Sequence, residues 1–121
     1  MHDYIISSYN INFEDKTIKI CAQDRKEERM SHFIAREVLT HSFQNILEYN
    51  IILDIEECNI DNFIKDNLPI LKKKIQECWP VDYQNIQGLK DFLIRNDYKY
   101  IKIISSYGMN GWVLAKAFKI T

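Results

Sequence analysis

From Tyr4 to Phe13 the apolar residues Ile5, Tyr9, Ile11 and Phe13 occupy odd positions, with Ser8, Asn10 and Asn12 between them. A period of two is that of a half-buried strand. Glu14-Asp15-Lys16 then makes a tight polar turn, and Ile18, Ile20 and Ala22 alternate with Lys19 and Cys21 as the returning strand of a hairpin. Asp24 to Arg29 is almost wholly charged and reads as an exposed loop. Ser31 to Val38 has the mixed pattern of a strand, whereas Val38, Leu39, Ser42, Phe43, Ile46 and Leu47 recur at spacings of three and four, which predict a short helix.

The second half is patterned more strongly. Tyr49 to Ile55 carries Ile51, Ile52, Leu53 and Ile55 and predicts a strand buried over most of its length. Asn59 is placed to cap a helix that starts near Ile60 and puts Phe63, Ile64 and Leu68 on one face. Pro69 suits the first position of a second helical segment carrying Leu71 and Ile75, which Trp79-Pro80 ends. Asn85 can cap a third helix running to Asn96, with Ile86, Leu89, Phe92 and Leu93 inward. Tyr98 to Ile104 and Trp112 to Ile120 predict two strands, joined through Gly108-Met109-Asn110-Gly111, whose Asn-Gly pair accepts positive φ. Strands first, helices in the middle and a hairpin last predict a single α+β domain over residues 1–121. Its antiparallel sheet would carry two or three helices packed on one face.

Composition narrows the field without choosing a chemistry. The 121 residues are 46% hydrophobic and 27% charged, as expected of one globular domain. Sixteen Lys and Arg against seventeen Asp and Glu give a net charge of −1, so there is no global positive field of the kind a general nucleic-acid binder uses. Apolar runs reach about four residues, far short of the roughly 20 a membrane helix needs. The opening Met1-His2-Asp3-Tyr4-Ile5-Ile6-Ser7-Ser8 lacks a basic start and a small-residue cleavage site, so a cytoplasmic location is expected. Cys21, Cys58 and Cys78 are odd in number and widely spaced, which predicts reduced thiols packed as small apolar groups.

The residue types that usually carry catalysis are dispersed. His2, His32 and His41 have no His or Cys partner at metal-ligand spacing, so no metal and no cofactor is expected. Cys58 and Cys78 lack a nearby basic partner, and Gly88, Gly108 and Gly111 form no phosphate loop. Ser105-Ser106-Tyr107-Gly108 lacks the glycines of a nucleophile elbow. No catalytic residue is assigned. An enzyme or ligand-binding domain with a pocket near His41, paired with an acid such as Asp54, is the first alternative to a binding protein.

Charge distribution is more informative than its total. Glu48 to Asp66 holds one basic residue, Lys65, against six acidic ones, a net −5, while Asn67 to Thr121 has nine basic against four acidic, a net +5. The helix dipole accounts for Asp61 in a first turn but not for Glu56 and Glu57 ahead of the cap. Such a cluster attracts a basic partner and speeds its encounter. Lys72-Lys73-Lys74 reads as the solvated face of a helix. Tyr98, Tyr100 and Tyr107 with Lys99 and Lys102 suggest a stacking platform for single-stranded nucleic acid. Alternation, however, would put Tyr98 and Tyr100 on one face and both lysines elsewhere, which makes a nucleic-acid module the second alternative. Tyr107 and Trp112, near the Asn110-Gly111 turn, are suited to docking on a protein.

Three stretches carry a family resemblance: Phe13-Glu14-Asp15-Lys16-Thr17-Ile18, Asn50-Ile51-Ile52-Leu53-Asp54-Ile55-Glu56-Glu57, and Ser105-Ser106-Tyr107-Gly108-Met109-Asn110-Gly111-Trp112-Val113-Leu114-Ala115-Lys116. With the order of elements, they resemble small bacterial α+β proteins of the immunity class, which neutralise a toxin by binding it. The resemblance implies a non-enzymatic cytoplasmic inhibitor, with no membrane association, whose partner is a cognate toxin domain, often a basic nuclease. The acidic segment, read independently, is compatible with that. The expected partner-binding residues are Asp54, Glu56, Glu57, Asp61, Asp66, Tyr107 and Trp112.

Overall fold

The computed structural model describes residues 2–47 and 50–121, with only the backbone at Leu53. The strands are β1 (Tyr4–Asn12), β2 (Thr17–Asp24), β3 (Met30–Gln44), β4 (Ile51–Cys58), β5 (Lys99–Tyr107) and β6 (Asn110–Ile120). Two helices, α1 (Ile60–Lys73) and α2 (Ile86–Arg95), lie between β4 and β5. All strand pairs are antiparallel and close in the order β1-β2-β3-β6-β5-β4. The expected α+β sheet is therefore corrected to a closed six-stranded barrel. Closure rests on the pairing of Tyr4 with Ile52 and Ile5 with Ile51, a contact across nearly fifty residues that no local pattern announces.

The second correction concerns residues 38–47. The chain expected to turn helical stays extended in β3 as far as Gln44. Glu37 adopts a φ of 52°, and pairing with β6 slips between Val38 and Thr40. These irregularities break the period of two along the strand, so apolar residues fall at spacings of three and four in extended chain. The third correction is at Pro69, which lies inside α1 rather than starting a new helix. Phe63 and Leu71 are both buried on the same side of α1, and their packing holds the turn containing the proline in line.

Two further readings are corrected. Tyr9 and Phe13, expected on the half-buried face of β1, are exposed and Ile6 is buried instead, because the β1–β2 register shifts between Ile6 and Ser8. β4, expected to be buried over most of its length, buries Ile52 but exposes Asp54, Glu56 and Glu57. The two cap readings match. Asn59 Oδ1 accepts the Asn62 N–H at 2.9 Å, and Asn85 Oδ1 accepts the Gly88 N–H at 2.8 Å, capping both helices. The expected strand start at Tyr49 lies outside the described residues. In the β5–β6 hairpin the positive φ falls on Gly108, at 90°, while Asn110 and Gly111 already belong to β6.

Two cores follow from the alternation. Ile18, Ile20, Phe33, Ile101, Ile103 and Val113 fill the barrel interior. Tyr100 and Leu114 point outward from the same strands, where Phe63, Leu71, Leu89 and Leu93 of the helices cover them. Tyr100–Ile101 of β5 and Val113–Leu114–Ala115 of β6 are thus buried on both faces, which is why these stretches are continuously apolar. No helix among the described residues is long and apolar enough to cross a membrane.

Candidate functional site

The five expected carboxylates do not share one surface. In the β4–β5 register Glu56 lies across from Lys102 and Glu57 across from Ile101, so the adjacent glutamates point to opposite sides of the sheet. Asp54, across from Ile104, shares the outer side with Glu56, and its Oδ1 accepts the Ile55 N–H at 2.8 Å. Glu57 instead borders a depression with Glu37, Lys99 and Lys116.

Asp61 and Asp66 are taken up within the chain. Asp61, in the first turn of α1, pairs with Lys90 of α2 at 2.5 Å. Asp66 accepts the Tyr100 hydroxyl at 2.9 Å and lies 3.5 Å from Lys102 Nζ, so it ties α1 to the barrel wall. Burial, and after it the hydrogen bond to Asp66 and the charge of Asp66, raise the Tyr100 pKa well above the usual tyrosine range. Among the described residues no ion pair uses Asp54, Glu56 or Glu57.

The aromatic candidates separate as well. Tyr107, at the end of β5, is 54% exposed. Trp112 is half-buried under the helices, its ring centroid 5.1 Å from Phe63 and 6.1 Å from Trp79. Tyr100 is buried edge-on to Phe63, and Tyr98 lies beneath Lys116, 5.4 Å away, so the two tyrosines do not form an open stacking platform. Lys102 shares the outer side with Tyr100, as its even number requires and contrary to the expected separation of tyrosines from lysines.

The chemistry of the remaining candidates is equally local. Burial raises the Cys58 pKa, chiefly offset by nearby Lys102, so its thiol is a poorer nucleophile at neutral pH than a free one. Among the described residues no cluster of His, Cys, Asp or Glu could hold a metal ion.

His41 lines a cleft of about 190 Å³ between the β1–β2 turn and β3. Asp54 is not among the lining residues, so the acid partner expected for this histidine is elsewhere. Sequence reasoning missed the aromatic row beside the cleft. Phe13 and His41 have ring centroids 6.2 Å apart, and His41 and Phe43 5.1 Å apart. The available signal was Phe13 itself, an aromatic set directly before a polar turn. A second groove along β1, lined also by Ser7, Ser8 and Asn50, contains Tyr9, Ile46 and Leu47, all substantially exposed.

Comparison with protein families, curated proteins and solved structures found no match to this chain.

Proposed function

We propose that this chain is a protein-binding inhibitor of the immunity class, which neutralises a cognate bacterial toxin in the cytoplasm by docking on it and catalyses nothing itself. The observation that supports this reading is the sorting of its acidic segment. Lys90 and Lys102 take up Asp61 and Asp66, whereas Asp54 and Glu56 stand side by side on the outer face of β4 with no ion-pair partner among the described residues. Two carboxylates outside any described ion pair on one strand suit recognition of a basic surface, because they approach it together and break no salt bridge on binding. Tyr107, exposed where β5 ends beside Ile51 of β4, adds an aromatic contact of the type enriched at interfaces.

The test is protection. A toxin domain encoded beside this chain is expressed with and without it, and the purified pair is then sized. Growth restored by the chain, with a stable one-to-one complex, is the expected result. Continued growth arrest in cells that contain the folded chain would overturn the reading.

A further inference from the structure

We propose that the cleft between the β1–β2 turn and β3 binds a small planar aromatic anion. This inference is independent of the protein-docking reading, because it concerns a different face and a different class of ligand.

Ile11, Phe13 and Val38 supply apolar walls, and His41 supplies a fourth that is itself a flat ring. The successive Phe13, His41 and Phe43 rings are tilted by 33° and 40° at 6.2 and 5.1 Å, within the separations at which aromatic groups attract one another. Core packing does not explain Phe13, which is 79% exposed. A ligand ring laid on it would remove apolar surface from water on both sides.

Size and charge narrow the occupant further. The volume of about 190 Å³ is below the roughly 300–1,000 Å³ of clefts that take drug-sized ligands, so the site suits a single ring. Lys16 also lines the cleft and is exposed, and among the described residues no ion pair uses it. The nearest acid in sequence, Asp15, accepts a hydrogen bond from Asn12 Nδ2 at 3.1 Å, and no Asp or Glu lines the cleft. An anionic substituent would therefore meet one ammonium outside any described ion pair and no carboxylate in the cleft lining, to which Thr17 adds a residue able to donate a hydrogen bond. Burial lowers the His41 pKa, so the imidazole stays a neutral stacking partner at pH 7.

The full chain labelled with ¹⁵N is titrated with benzoate, benzyl alcohol and acetate while amide shifts are followed. Benzoate is expected to give saturable shifts confined to Ile11–Ile18 and Val38–His41, with a Kd on the order of 1 mM, as a ligand of this size allows. Benzyl alcohol, lacking the charge, binds several-fold more weakly, and acetate, lacking the ring, gives no saturable shift. Phe13→Ala abolishes the benzoate response, and Lys16→Gln reduces it to the level of benzyl alcohol. Both positions are exposed, and the unligated spectra report whether each variant is folded. Benzoate shifts that fail to saturate or fall elsewhere, equal binding of benzyl alcohol, or benzoate affinity unchanged in both folded variants would each overturn the proposal.

Discussion

Asn50 Oδ1 accepts the backbone N–H of Met109 at 2.8 Å, joining the start of β4 to the β5–β6 turn across fifty-nine positions. The same oxygen accepts the Leu47 N–H at 2.8 Å, and Asn50 Nδ2 donates to the Leu47 carbonyl oxygen. Asn50 is 3% exposed, so its amide replaces water for backbone groups of two separate loops. Asn50→Ala should leave the buried Met109 N–H unpaired and cost about 1–3 kcal/mol, read as a lower melting temperature with the barrel retained by circular dichroism.

Gly111 is constrained by contact. A Cβ there would fall on the Ser42 carbonyl oxygen and crowd the Phe43 ring and backbone, so β6 approaches β3 more closely than any other residue allows. Gly111→Ala is expected to destabilise by about 1–3 kcal/mol, since the obstacle includes backbone. Gly88→Ala is the comparison. Its nearest neighbour is Asn85 Oδ1 at 3.3 Å, and thermal melts should place that variant within about 1 kcal/mol of the parent.

Tyr100 makes stability sensitive to alkali. Its raised pKa means the folded molecule holds the phenolic proton more tightly than the unfolded chain does. The resulting stabilisation is fully present below the unfolded value of about 10 and is lost as pH rises through the folded value. Ultraviolet titration should show Tyr100 ionising last, after Tyr83, whose pKa burial also raises. In Asp66→Asn that late step should move to lower pH, because the carboxylate contribution is removed while burial remains.

His41 acts in the opposite direction. Burial lowers its pKa, so the unfolded chain takes up a proton before the folded molecule does. This contribution to stability is present above about pH 6.5 and is lost as pH falls through the folded value. NMR titration of the ring should give a midpoint below those of exposed histidines, and His41→Phe should flatten the acid limb of the stability profile.

The sequence was legible where neighbours in the chain decide the outcome. Asn59 and Asn85 were readable as caps because capping is satisfied within three residues, β2 was readable from alternation, and β5 and β6 from their apolar residues. In β1 alternation located the strand but not its buried residues, since the register shifts between Ile6 and Ser8. Closure was not, because it depends on Tyr4 meeting Ile52. The helix expected from Val38 onward arose because irregular pairing imitates a helical period once Glu37 takes a positive φ. For the candidate site, charge counting located the acidic segment but could not sort it. Which carboxylates stay free depends on Lys90 and Lys102, which lie across the helix pair and the barrel wall. Trp112 looked available beside a turn, yet the helices inserted between β4 and β5 cover it.

The docking claim is tested most directly by charge reversal on β4. Affinity for the toxin domain is measured by calorimetry for Asp54→Lys/Glu56→Lys, Glu57→Lys and Lys72→Glu/Lys73→Glu, with a melting temperature for each. The account predicts a loss of at least about tenfold for the Asp54 and Glu56 variant, smaller in high salt, and much less for the other two, with all three still folded. Undiminished affinity in a folded Asp54→Lys/Glu56→Lys variant would contradict it.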